Sequence, residues 1–336
     1  MTCLTNAAGN RSAAPPAPWT LRAVRVAAAL ILGITAVSAC STTPEATEEV
    51  VEVRNLAARQ VEYGNEHFHR GDYEQALYFY DLALENHRSL DNELGVAKTL
   101  NAVGKAYLAA GDWESAASAF EESRETAAGL EHSEVLLKSV NNLGELALRT
   151  GNPSVARERF EEALKLSAET GDTEERAVVL HNLATALIRT DGTTEARTRL
   201  EEARAINEQA DRPAELAANL YMLAAVESRA GELETARELL VEALACDKRV
   251  ENSRGIARDL MALGIVERRL GTHDRSRDYL RRSLAVHVSR NDAHGALRVL
   301  EELETTAVEA GEDEEAAEYA AQRERIREGR AASEGS

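Results

Sequence analysis

The chain has 336 residues, 44% of them apolar and only 4% aromatic, and its 39 basic and 58 acidic side chains leave a formal charge of −19. An acidic balance of this size excludes non-specific nucleic-acid binding, which rests on neutralising phosphates, and electrostatic adhesion to anionic lipid headgroups. Alanine, leucine, glutamate and arginine give a helical composition, and without sustained period-2 alternation no sheet is expected.

Residues 1–39 contain Arg11, Arg22 and Arg25 and no acid, so the remainder carries −22. Arg22 and Arg25 precede an apolar stretch from Val26 to Val37. It is too short for a bilayer-crossing helix, which needs about 20 residues. A basic flank followed by a short apolar run has the order of a secretory signal. Val37-Ser38-Ala39-Cys40 closes it. That order resembles the bacterial lipoprotein signal, where a branched apolar residue and two small residues precede an acylated cysteine.

The resemblance implies cleavage after residue 39 and membrane attachment through the acylated Cys40, since two or three acyl chains hold a protein on a membrane. Ser41 in place of aspartate implies the outer membrane, periplasmic face, over the inner membrane. Residues 40–56 are expected to be the lipidated cysteine and a tether, or an extension of the first helix started at Thr43-Pro44. With Cys3 in the signal and Cys40 acylated, Cys246 is left as a lone thiol with a packing role.

A glycine then returns every 40 residues, at Gly71, Gly111, Gly151, Gly231, Gly271 and Gly311, with Asp191-Gly192 at the missing beat. A small residue follows five positions later each time, from Ala76 to Ala316. Such periodicity is the signature of a stacked array, in which each unit packs only on its neighbours. In the unit at residues 97–130, Val103, Gly104 and Tyr107 fall at helical spacing before Gly111-Asp112-Trp113, Ala116 and Phe120.

This pattern resembles the tetratricopeptide repeat, with small or large residues at fixed positions of a unit of about 34 residues. Position 7 reads Tyr63, Val103, Leu143, Leu183, Leu223, Leu263 and Leu303. Position 8 reads Gly64, Gly104, Gly144, Ala184, Ala224, Gly264 and then Glu304. Position 24 reads Tyr80, Phe120, Phe160, Leu200, Leu240, Leu280 and Ala320. The resemblance implies an all-α, right-handed superhelical solenoid of about seven antiparallel helix pairs over residues 57–330, with residues 331–336 a disordered tail. Small residues let paired helices approach to about 8–10 Å. The glycine ends each first helix in a left-handed conformation, and Asp72, Asp112 and Asn152 are placed to cap the second.

The six extra residues per unit are expected in longer helix ends and a longer inter-repeat turn. The 40-residue variant resembles polarity scaffolds and the peptide-sensing Rap proteins, which bind peptides or protein segments on the concave face. Glu304 and Arg323 in the seventh unit stand where packing residues are required, as in a solubilising cap.

The resemblance places groove-lining residues at positions 2, 5, 6, 9, 12 and 13 of each first helix. Position 13 holds Arg149, Arg189, Arg229 and Arg269. This basic ladder suits carboxylates or phosphates, and it also offsets the dipole at each helix end. Lys98 and Lys138 occupy position 2, and Asn101, Asn141, Asn142 and Asn182 occupy positions 5 and 6. Such asparagines resemble those that hold a ligand's backbone, and they also suit a solvated groove wall. The two-carboxylate clamp of chaperone adaptors is missing, because Asn101 and Lys105 precede Asn142, and Val178 and Asn182 follow it.

Aromatic residues crowd the first unit, where Tyr63 and Tyr80 occupy core positions and Tyr78 and Phe79 are left for an interface or for cover by the preceding segment. His67 and His69 are too few for zinc, and His67 reads as a core substitution. No phosphate loop, nucleophile elbow or HExxH is present, so neither an enzyme nor a cofactor is expected. The expected function is an envelope lipoprotein scaffold that binds a protein or peptide. The alternative is a ligand-delivery component of a solute-binding transport system, with an apolar pocket through the array.

Overall fold

The computed structural model describes residues 47–334, with side chains as far as Glu328. The signal at 1–39, Cys40, the Thr43-Pro44 start and the last two residues lie outside the described residues. Among those described, fourteen helices and no strand follow one another. They pair as α1 (Glu48–Arg70) with α2 (Tyr73–Ser89), α3 (Glu93–Ala110) with α4 (Trp113–Gly129), and α5 (Ser133–Arg149) with α6 (Pro153–Thr170). Next come α7 (Thr173–Arg189) with α8 (Thr193–Gln209), and α9 (Pro213–Ala230) with α10 (Leu233–Arg249). The last pairs are α11 (Ser253–Arg269) with α12 (His273–Ser289), and α13 (Ala293–Ala310) with α14 (Asp313–Glu334). Each helix from α3 onward packs on the next, which makes the described residues from Arg54 to Glu334 a solenoid of helix pairs.

The backbone repeats twice as often as the sequence pattern. A left-handed residue occurs every 20 positions: Gly71, Asp91, Gly111, Glu131, Gly151, Gly171, Asp191, Asp211 and on to Gly311. At nearly every turn the next residue donates to the carbonyl five before it, as from Asp112 N to Tyr107 O (3.0 Å) and from His132 N to Ala127 O (2.9 Å). This is the Schellman closure, which satisfies carbonyls orphaned at a helix end. The turns between repeats are therefore as short as those within them. The expected longer inter-repeat turn is absent, and the extra residues lengthen the helices, which from α2 to α13 run 17 or 18 residues.

Asp72 and Asp112 cap their helices as expected, by accepting from Gln75 N and Ser115 N. Asn152 does not. Its amide turns back and donates to Thr150 O and Thr150 Oγ1, leaving Pro153 to open α6. At the other end helical backbone runs to Glu334, through four of the six residues expected as a disordered tail. Ala331 and Ala332 are strong helix formers.

Inside the pairs, position 8 packs directly against position 24, and in repeat 6 Gly264 lies against Leu280. A Cβ on Gly104 would stand 2.4 Å from the Phe120 ring, and one on Gly144 would stand 2.5 Å from Phe160. Where alanine replaces glycine, at Ala184 and Ala224, leucine replaces the aromatic ring. All four of these large side chains are buried. In the seventh pair Glu304 meets Arg323 in an ion pair (3.0 Å), and Tyr319, one residue before the expected position, fills the core.

Across pairs, α3 touches α5, α5 touches α7, α9 touches α11 and α11 touches α13. No two second helices pack together to the same extent. The first helices thus form the inner wall, which is the face that holds the candidate site.

Candidate functional site

The asparagines meet each other before they meet any ligand. Asn142 Nδ2 donates to Asn101 Oδ1 (3.0 Å), Asn101 Nδ2 to Ser139 Oγ (3.0 Å), and Asn182 Nδ2 to Asn141 Oδ1 (3.1 Å). Asn101, Asn141 and Asn142 are buried. Positions 5 and 6 of adjacent first helices face each other where α3, α5 and α7 touch, so these amides cross-link repeats 2, 3 and 4. Buried amides without such partners would cost about 1–3 kcal/mol each.

The arginine ladder is exposed throughout, and its rungs differ. Arg189 Nη1 donates to Leu148 O (2.9 Å), so it caps the last turn of α5 from the next repeat. Arg269 also reaches back one repeat, but to the side-chain hydroxyl of Ser228 and not to a backbone carbonyl. Arg149 pairs with Glu145 one turn earlier (3.2 Å). Among the described residues Arg229 has no hydrogen-bond or ion-pair partner. A guanidinium carries five donors, so one bond to a helix end leaves the others for a ligand.

A groove of about 620 Å3 opens above this wall. Asn141, Asn142, Asn182, Arg149 and Arg189 line it, together with Lys105, Glu145 and Glu175. Of the ten residues expected to bind a partner, these five come together; Lys98, Asn101, Lys138, Arg229 and Arg269 lie outside. Burial pushes Glu175 above the usual carboxylate range, against the pull of Lys138 and Lys105. Burial lowers Lys138, but the bond that it donates to Glu134 Oε1 (2.9 Å) and the charges of Glu134, Glu175 and Asp172 outweigh it and hold the ammonium above its ordinary value. On a chain of charge −19 this is a locally balanced, hydrogen-bonding surface.

Beyond repeat 4 the same face turns apolar. Position 5 runs Asn101, Asn141, His181, Tyr221, Met261, and position 9 runs Lys105, Glu145, Thr185, Ala225, Ile265. Tyr221, Ala225, Ala262 and Ile265 wall a pocket of about 220 Å3 with Arg229 at its rim. A second pocket of about 180 Å3 lies at Val178, His181 and Ala218. His181 Nδ1 is 3.1 Å from Asn219 Nδ2, and burial, aided by the Arg258 charge, lowers its pKa to about 4. Residue-by-residue reading passed over Lys105 and this apolar half. Reading position 9 down the repeats exposes both.

In the first pair Tyr80 is buried, its pKa raised to about 12 by that burial, and its hydroxyl donates to Asn65 Oδ1 (2.7 Å). Tyr63, expected in the core, is instead 50% exposed. In later repeats position 7 is covered by the preceding pair, as at Leu183 and Leu263, and no described pair precedes α1. Tyr63 and His67 lie against Phe79, with ring centroids 5.5 and 5.4 Å away, and Tyr78 is 56% exposed beside them. Among the described residues no three His, Cys, Asp or Glu side chains converge on a metal position, and no helix is long and apolar enough to cross a membrane.

No match to this chain is found among curated proteins. Solved structures share the fold. The apo form of RapI superposes with a TM-score of 0.64 at 15% identity, over 81% of this chain and 97% of that one. A Rap protein complexed with Competence and Sporulation Factor gives 0.60 at 16% identity, over 80% and 74%. A signal transduction ATPase with numerous domains and a tetratricopeptide repeat sensor, from Pyrococcus horikoshii, gives 0.69 at 14% identity, over 82% of this chain and 43% of that one. The tetratricopeptide repeat profile matches residues 56–128, 135–209 and 215–287, more than half of the sequence, and the chain belongs to that family.

Proposed function

We propose that this protein is a lipid-anchored scaffold of a bacterial envelope that holds a protein or peptide segment along its first-helix face. The groove over repeats 3 and 4 carries the reading, because it gathers free donors of Arg149 and Arg189 with Asn182 and Lys105 on one surface. Its continuation into the apolar pockets beside Tyr221 suits a segment with both polar and apolar side chains. The Rap conjugation gene regulator of the plasmid pLS20, which shares the fold and is in complex with the Phr* peptide, supports a peptide occupant. The two apolar pockets, about 220 and 180 Å3, fall below the roughly 300–1,000 Å3 of small-molecule sites, which favours the scaffold over ligand delivery. The anchor rests on Val37-Ser38-Ala39-Cys40 and the basic and apolar segments before it.

Crosslinking and pull-down from intact envelopes tests the groove, comparing wild type with Arg149→Glu combined with Arg189→Glu. Partners recovered with the wild type are expected to disappear with the variant. An unchanged set would leave the ladder with helix-end electrostatics only. In the same experiment Cys40→Ala is expected to move the protein from the membrane to the soluble fraction, and continued membrane retention overturns the anchor.

A further inference from the structure

Two carboxylates are buried against each other between repeats 5 and 6. Asp247, in the last turn of α10, and Asp259, in the first turns of α11, are both 0% exposed. Asp247 Oδ1 accepts from Asn252 Nδ2 (2.9 Å), and its Oδ2 lies 3.5 Å from Arg258 Nη2. Asp259 Oδ1 accepts from Arg258 Nε and Nη2, both at 3.2 Å. Asp259 Oδ2 is fully buried and has no partner.

One repeat earlier the equivalent residues are Asn207 and Asn219, whose amides bond at 2.7 Å. Asp247 and Asp259 stand at the positions where the preceding interface makes that amide bond, and one guanidinium, that of Arg258, reaches both of them. A neutral pair makes that bond with its own protons, whereas two carboxylates need a proton between them. Gly255 gives the Asp247 carboxylate its place beside α11, since a Cβ there would lie 1.8 Å from Asp247 Oδ2.

We propose that the interface of repeats 5 and 6 is a proton-operated joint: one proton shared by Asp247 and Asp259 holds α11 against α10, and its release to solvent loosens the pair and the apolar pocket that they help to wall. The pocket takes Leu240 from α10 and Ile265 from α11, so any change in their spacing changes it.

The charged and titratable groups around the pair are few. Arg258 on α11 touches both carboxylates and stacks over the Tyr221 ring of α9, 4.1 Å from its centroid. His181 on α7 senses the Arg258 charge and is held neutral. On the far side of α11, α12 contributes Ser283, which donates to Ala257 O. One guanidinium balances one carboxylate, and the second is left to hold a proton.

Burial raises Asp259 to about 7; the charge of Asp247 and the hydrogen bond with it add to the rise, and Arg258 opposes it. An acid raised in the folded state keeps its proton after the unfolded chain has lost its own. The joint's contribution is therefore fully present below the unfolded value near 4 and is lost as pH rises through about 7, the reverse of an ordinary paired aspartate.

Thermal unfolding of the full chain between about pH 3.5 and pH 9 tests this, with Asp259→Asn against wild type. At the acid end the two are expected to melt together, and at the alkaline end the variant is expected to melt about 3 °C higher. Asp247→Asn combined with Asp259→Asn, which restores the amide pair of the preceding interface, is expected to follow the single variant. A difference that stays constant across the range overturns the joint. Should the variants fail to fold, the carboxyl carbon resonance of Asp259 in the wild type decides. Titration near about 7 supports the shared proton, and titration in the ordinary aspartate range overturns it.

Discussion

Repeats 1–3 and repeats 4 and 5 solve one packing problem with different side chains, and repeat 6 combines them by setting Gly264 against Leu280. In the first three, glycine at position 8 admits an aromatic ring at position 24, as in Gly104 with Phe120 and Gly144 with Phe160. In repeats 4 and 5, alanine admits only leucine, at Leu200 and Leu240. The polar contacts between pairs differ as well. Asn101, Asn142 and Ser139 satisfy one another without charge, whereas Asp247 and Asp259 leave an oxygen unpartnered beside one arginine. The open face follows suit, being hydrogen-bonding over repeats 3 and 4 and apolar over repeats 5 and 6. One backbone therefore supports two interior chemistries, because stacked pairs meet only their neighbours and each interface is free to vary by itself.

The largest test of this contrast lies in the packing. Phe160→Ala should cost about 4 kcal/mol and Leu240→Ala about 3 kcal/mol in urea unfolding, since glycine opposite Phe160 leaves nothing to fill the space. The reverse order would show that the glycine-aromatic pairs are no more tightly fitted than the alanine-leucine pairs. A smaller effect comes from converting one polar interface towards the other. Asn101→Asp keeps the acceptor for Asn142 but sets a buried carboxylate oxygen where an amide donated to Ser139 Oγ, and it should cost about 2 kcal/mol at neutral pH and less as acid protonates it. A loss of stability independent of pH would mean that the new carboxyl escapes to water. The smallest effect belongs to the turns, where the two halves are alike. Glu131 and Glu251 hold left-handed backbone at φ 53° and 54°. Replacing either by glycine should add about 1 kcal/mol, and the two gains should match. Unequal gains, measured by thermal unfolding, would break the equivalence of the turns.

Some of this was legible before any coordinates. The glycine beat, the small residue five positions later and the columns at positions 7, 8 and 24 disclose the helix pairs and their phase, since sterics at close helix contacts admit few residue types. The turns between repeats escaped that reading. Asp91, Glu131, Asp211, Glu251 and Asn291 take the left-handed conformation without the glycine that would announce it, and Gly171 alone of that series carries it. The first-helix face was legible as an address but not as a chemistry. Arg149, Arg189 and Asn182 line one groove, while the mutual bonds of Asn101, Asn141 and Asn142 depend on which residues of neighbouring helices meet. Asp247 and Asp259 passed as ordinary acids of an acidic chain.

The sequence by itself determined that this chain is a repeat array, where the turn inside each helix pair falls, and the phase of the helices. Those follow from local sterics and periodicity, which each unit carries within its own residues. Only the tertiary structure decided which polar groups are consumed between repeats, which stay free in the groove, and which carboxylates lose their water. Hydrogen bonding and desolvation at these positions depend on side chains about 40 residues away, and such pairings exist only once the helices have stacked.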